Sequence, residues 1–192
     1  PTVGGDASLR RLIFNNTATA TTSGVIHVST GTDGLGAQNV TLRNLNVFGQ
    51  DPTQTLIGIA VGGTTLGTVG ADNDNLVIEN CAVRRALFGI YAAGASAANP
   101  NTGNVIRRND LTGLGVDRIR RVGILVFNQD GIVISENHVA GIETNESADA
   151  IGIGVGTQGV EATFVTSGGV SNALVSRNRV DGVASLSTVG FS

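Results

Sequence analysis

Residues 131–139 read Gly-Ile-Val-Ile-Ser-Glu-Asn-His-Val. Apolar Ile132 and Ile134 precede two polar residues, and Asn137 and Val139 follow. Five further segments repeat the phrase when Asn137 is the anchor: Ile13-Phe14-Asn15-Asn16-Thr17-Ala18, Leu42-Arg43-Asn44-Leu45-Asn46-Val47, Ile78-Glu79-Asn80-Cys81-Ala82-Val83, Ile106-Arg107-Arg108-Asn109-Asp110-Leu111 and Val175-Ser176-Arg177-Asn178-Arg179-Val180. The anchors Asn16, Leu45, Cys81, Asn109, Asn137 and Asn178 are separated by 29, 36, 28, 28 and 41 residues. The short spacings define a unit near 28 residues, lengthened by insertions around 63–75 and 157–172.

A second phrase, apolar-Gly-apolar-x-apolar, runs between the copies of the first. It appears as Ile57-Gly58-Ile59-Ala60-Val61, Phe88-Gly89-Ile90-Tyr91-Ala92, Val122-Gly123-Ile124-Leu125-Val126 and Ile151-Gly152-Ile153-Gly154-Val155. Both phrases have a period of two, which specifies short strands, and no run carries a 3.6-residue period. Two different phrases repeating in one order favour a solenoid over a β-sandwich. One unit per coil stacks equivalent residues about 4.8 Å apart, so six coils span about 30 Å. Residues 1–10 are placed as a small N-terminal cover on a single domain covering 1–192. A further glycine phrase begins at Val189-Gly190-Phe191, so the chain reads as part of a longer helix.

These phrases, over roughly residues 9–192, resemble the parallel β-helix repeat proteins of the pectate-lyase-like superfamily. The resemblance implies an all-β fold, a right-handed parallel β-helix solenoid of about six coils. The right-handed turn agrees with the general hand of parallel connections. Members of that superfamily include polysaccharide lyases, glycoside hydrolases, epimerases, phage tail proteins and surface adhesins, so the resemblance is specific for fold and not for activity.

Composition narrows the function. The chain has 192 residues, 28 of them Gly, 4% aromatic residues and a formal charge of −3. Its interior must therefore be built from Val, Ile, Leu and Ala over short strands and many turns. Every basic side chain is Arg, and none forms a run, which argues against nucleic acid as a partner. Cys81 is the only cysteine, leaving no intrachain disulfide and no thiolate metal site. No apolar stretch is long enough to span a membrane. Pro1 is not a natural start residue, so the missing secretory signal says little about the native gene.

Stacking the copies puts candidate residues in columns. The anchor column is an asparagine ladder satisfying a corner, broken by Leu45 and Cys81. The two columns before it, Arg43-Glu79-Arg107-Ser135-Ser176 and Asn44-Asn80-Arg108-Glu136-Arg177, alternate in sign, as an outward ion-pair ladder would. The column after it reads Asp110, His138, Arg179. With Arg107 these are the candidate catalytic residues, able in principle to hold a substrate carboxylate and shuttle a proton. Lyases of the resembled family normally add a calcium-binding carboxylate cluster there, which this column lacks. Asp72 with Asp74, or Glu143, Glu146 and Asp149, offer at most loose calcium binding in loops, without EF-hand spacing; no metal site and no cofactor are expected.

If the apolar residues of the glycine phrase face inward, its outward strip is smooth and nearly uncharged, with Tyr91 and Leu125 protruding as candidate binding residues. Glycine at a tight bend, a cover provided by the 157–172 insertion, and a seat for a sugar ring or another chain are the competing explanations. The expected function is a noncatalytic extracellular or cell-surface module of an adhesive or carbohydrate-associated protein, with polysaccharide or protein as partner. The alternatives are a polysaccharide lyase or epimerase acting on acidic polysaccharide, and a structural segment associating end to end or side by side.

Overall fold

The computed structural model describes residues 9–145, 149–158, 165–166 and 168–186. Nearly every element is a strand; the one helical turn among the described residues is the 3-10 turn Gly115–Asp117. Three large parallel sheets carry most of the described chain. Sheet one stacks Leu12–Asn15, Leu45–Phe48, Ala82–Arg84, Asp110–Leu111, His138–Ala140 and Arg179–Asp181 in that order. Sheet two stacks Thr41–Arg43, Val77–Glu79, Val105–Arg107, Val133–Ser135 and Leu174–Ser176. Sheet three stacks Ser23–Ser29, Thr55–Gly62, Ala86–Ala93, Ile119–Phe127 and Ile151–Val155. Each strand pairs with its counterpart one repeat along the sequence, an arrangement compatible with a parallel β-solenoid. Thr157–Gln158 and Val165–Thr166 form the one antiparallel pair among the described strands. No described helix is long and apolar enough to cross a membrane.

Period-two patterning places one side of each sheet inside. Ile78, Ile106 and Ile134 of sheet two face Val47, Val83, Leu111 and Val139 of sheet one and Ile59, Ile90 and Ile124 of sheet three, all in one buried cluster. Each such side chain contributes about 1.5–3 kcal/mol by leaving water. The counterparts in the outermost layers differ: Val180 is 45% exposed where Val139 is fully covered.

Between sheets two and one the chain turns through one residue with left-handed backbone: Asn44, Asn80, Arg108, Glu136 and Arg177 have φ between 50° and 59°. The next residue turns inward. There the amide ladder forms as expected at Asn109, Asn137 and Asn178, each carbonyl accepting the backbone N–H of the preceding layer: Cys81 N–H to Asn109 at 2.9 Å, Asn109 N–H to Asn137 and Asn137 N–H to Asn178 at 3.0 Å. Asn16 does not join it. Leu12, not Asn16, pairs with Leu45, and the Asn16 amide donates to Gly24 O. The offset is four residues, and an even offset preserves the in-and-out pattern, so periodicity could not reveal it.

Sheet three corrects a second expectation. Ile59, Ile90 and Ile124 point inward, but Ile57, Phe88 and Val122 point outward beside Ala60, Tyr91 and Leu125. The strand changes face at its glycine. A β-carbon on Gly58, Gly89, Gly123 or Gly152 would overlap Val83, Leu111, Val139 or Val180 respectively, so the glycine column lies directly against the branched column of sheet one. The outward residues form a second buried cluster, so Tyr91 and Leu125 do not protrude; they are 2% and 0% exposed. Leu66 of the 63–75 insertion packs on this cluster, and the Tyr91 hydroxyl donates to Gly67 O at 2.8 Å. Tyr91 and Phe127 meet edge to face with ring centroids 5.6 Å apart. In the 157–172 insertion, Gly168 abuts Phe127, while residues 159–164 and 167 lie outside the described residues, as does most of the expected 1–10 cover.

Replacing Gly123 by Ala should therefore cost about 1–3 kcal/mol through overpacking. Val139→Ala should recover part of that loss in the double variant, giving a non-additive cycle in urea unfolding; simple additivity would show that the two columns do not touch.

Candidate functional site

The outer face of sheet two and its corner carry a connected set of ion pairs. Register aligns Arg43, Glu79, Arg107, Ser135 and Ser176 on successive strands, as the sequence indicated. Glu79 is the centre: its carboxylate lies 2.8 Å from Arg43, 3.0 Å from Arg107 and 3.3 Å from Arg108, and its side chain is only 9% exposed. Arg108 also reaches Glu136 at 2.9 Å, and Arg177 reaches the same carboxylate at 3.7 Å. Burial opposes ionisation of Glu79, but its bonds to Arg107 and Arg43 prevail and hold its carboxyl below the usual range. The Arg108 bond does the same for Glu136.

The outer face of sheet one carries the proposed catalytic column. Asp110, His138 and Arg179 are in register on adjacent strands. Arg107 is not part of this group, since its carboxylate partner is Glu79 in sheet two. Each member of the column has its own partner. Asp110 pairs with Arg84 at 2.9 Å and Arg10 at 3.4 Å, and accepts the Thr112 hydroxyl at 2.7 Å. Burial raises the Asp110 carboxyl, but Thr112, Arg84 and Arg10 together bring it below its ordinary value. His138 Nε2 donates to Asp181 at 3.0 Å, and Arg179 reaches the other oxygen of that carboxylate at 3.0 Å. The Arg179 bond, then that of His138, holds Asp181 low as well.

Sequence reasoning missed Asp181, Arg84, Thr112 and Arg10. Three of these were legible, because Arg179 and Asp181, Asp110 and Thr112, and Ala82 and Arg84 are two residues apart and so share a strand face. It also missed a buried carboxamide network at the corner following sheet three. Asn101 Oδ1 accepts Asn73 N–H at 3.2 Å, Asn104 Oδ1 accepts Leu76 N–H at 2.9 Å, and the Asn104 amide donates to Gln129 at 2.9 Å. Asn73, Asn101 and Gln129 are each 28 residues apart, so the same repeat length carried the signal.

Two of the remaining acidic candidates, Asp74 and Glu143, have structural occupations. Asp74 accepts Thr102 N–H at 2.6 Å, and Glu143 lies 3.9 Å from Arg118. Glu146 lies outside the described residues. Among the described residues no three His, Cys, Asp or Glu side chains converge on a metal-sized site. His27 Nε2 is bonded to Gly63 O at 2.9 Å. Cys81 is fully buried, and burial pushes its thiol up, away from the reactive thiolate. With Tyr91 and Leu125 enclosed, neither offers a ring-stacking surface in this arrangement. No protein family, curated protein or solved structure matches the chain.

Glu79 should contribute to acid sensitivity. Its folded pKa lies below the ordinary 4.5, so the folded state binds fewer protons than the unfolded chain; the stabilisation is present above that value and disappears as pH falls through the folded value. Glu79→Gln should lose about 1–2 kcal/mol at pH 7, discounted for the exposure of its arginine partners. Its urea midpoint should also vary less than that of the parent chain between about pH 5 and pH 2. An unchanged acid limb in the variant would contradict this assignment.

Proposed function

We propose that the chain is a noncatalytic module of a larger extracellular or cell-surface protein of adhesive or carbohydrate-associated type. In this reading it is a right-handed parallel β-helix of about six coils, related to the pectate-lyase-like superfamily. The observation that carries the proposal is the pairing of the acids. Glu79, Glu136, Asp110 and Asp181 are each met by at least two cationic or imidazole side chains, and each is held ionised. A general acid needs a pKa close to the working pH, and these partners displace the four carboxyls in the opposite direction. These four carboxylates are thereby held in ion pairs and are not poised as acids. The repeat phrases and the strand-by-strand pairing support the solenoid, and the resemblance supports the extracellular setting.

The second reading is a lyase or epimerase for acidic polysaccharide, favoured by the in-register Asp110-His138-Arg179 column. Incubation with pectate and alginate, followed at 235 nm for unsaturated product, separates the two. The module reading expects no product. Turnover that disappears in His138→Ala would establish the enzyme instead.

A further inference from the structure

We propose that the arginine row of sheet two and its corner is a binding site for a linear acidic polysaccharide with a carboxylate on alternate sugars, lying across the strands. The inference rests on the carbohydrate-associated reading above and gives it a site and a ligand class. Arg43 lies on one layer, Arg107 and Arg108 two layers on, and Arg177 two layers beyond those. Strand spacing therefore puts cationic positions at intervals of about 10 Å. The layers between hold Glu79 and Glu136. Four guanidinium groups thus face two carboxylates, a local excess of positive charge on a chain whose formal charge is −3. A guanidinium has more N–H donors than one carboxylate contact can occupy, so donors remain for a ligand.

A further observation points the same way. The four arginine side chains are between 40% and 79% exposed, Arg177 the most, while Glu79 beneath them is nearly enclosed and clamps three of them in place. Guanidinium groups fixed before binding lose less freedom when a ligand arrives.

The spacing selects the polymer. An extended pyranose chain advances by nearly one strand spacing per sugar. A carboxylate on alternate sugars therefore meets each arginine layer, whereas one on every sugar also meets Glu136. Phosphates recur at every nucleotide, about 3.4 Å apart in projection on a duplex axis, so they too would meet Glu136. Titration of the full chain with hyaluronan oligosaccharides, polygalacturonate oligosaccharides, single-stranded DNA and neutral dextran tests the proposal. Hyaluronan should bind most tightly, and its affinity should fall as salt is raised, because the contacts join exposed charges. Arg177→Gln should weaken binding about 3–10-fold, or about 0.7–1.4 kcal/mol, with an unchanged urea midpoint. Arg118→Gln, which removes the same charge beside sheet three, should leave binding intact. Equal binding of polygalacturonate or DNA, equal loss in Arg118→Gln, or no binding of hyaluronan would each overturn the proposal. Binding of dextran without hyaluronan would overturn it while sustaining the broader carbohydrate reading.

Discussion

The carboxamide of Asn137 joins three successive layers. Its oxygen accepts both the backbone and the side-chain N–H of Asn109, and its own NH2 donates to Ile106 O and to Asn178. At a corner the strand ladder is interrupted, and a buried backbone N–H left without an acceptor costs about 1–3 kcal/mol. An inward amide removes that penalty only if the next layer presents its own amide at the same place. The bond therefore requires parallel pairing of each residue with its counterpart, and the other features of the molecule follow from that requirement. One is the glycine column against the branched column. Another is the alternation of charge from layer to layer, since like charges stacked one strand apart would repel.

Most of this architecture was legible in the residues because repetition amplifies weak local signals. Ile134, Ser135 and Asn137 say little alone, but five approximate copies fix their facing and register. The charge columns were read correctly for that reason. What the sequence concealed involved residues that break the repeat or act across it. Asn16 imitates the anchor at an even offset. The glycine strand alternates apolar residues on both sides of Gly123, and both faces are buried, so alternation could not say which side was the interior. Tyr91 was misplaced because its cover, Leu66 and Gly67, lies in an insertion outside the repeat. The candidate site divided for a similar reason: Arg107 and Asp110 are near in sequence but lie on either side of a corner, with different partners.

The two outer faces put the same residue types to different uses. On sheet one each acid is partly exposed but met by its own partners, which hold it ionised. On sheet two and its corner one nearly enclosed acid, Glu79, holds three arginines in a row, and Arg177 beyond them is far more exposed. The scaffold that fixes their spacing also fixes the spacing of any ligand they meet. The proposed binding site thus rests on strand spacing, with no loop needed to shape it.

The account stands on register, and a cysteine pair tests it most directly. Ser135 and Ser176 are aligned on adjacent strands, 41 residues apart in sequence, and the single native thiol is buried. Their Cα separation, about 4.8 Å by strand spacing, lies within disulfide range. Ser135 and Leu174 are offset by two residues, about 8 Å, and beyond it. Oxidation of Ser135→Cys/Ser176→Cys should give an intramolecular crosslink, detected by peptide mass mapping without reduction, while Ser135→Cys/Leu174→Cys stays reduced. Failure of the first pair to close, or equal closure of both, would contradict the stacking of the repeats.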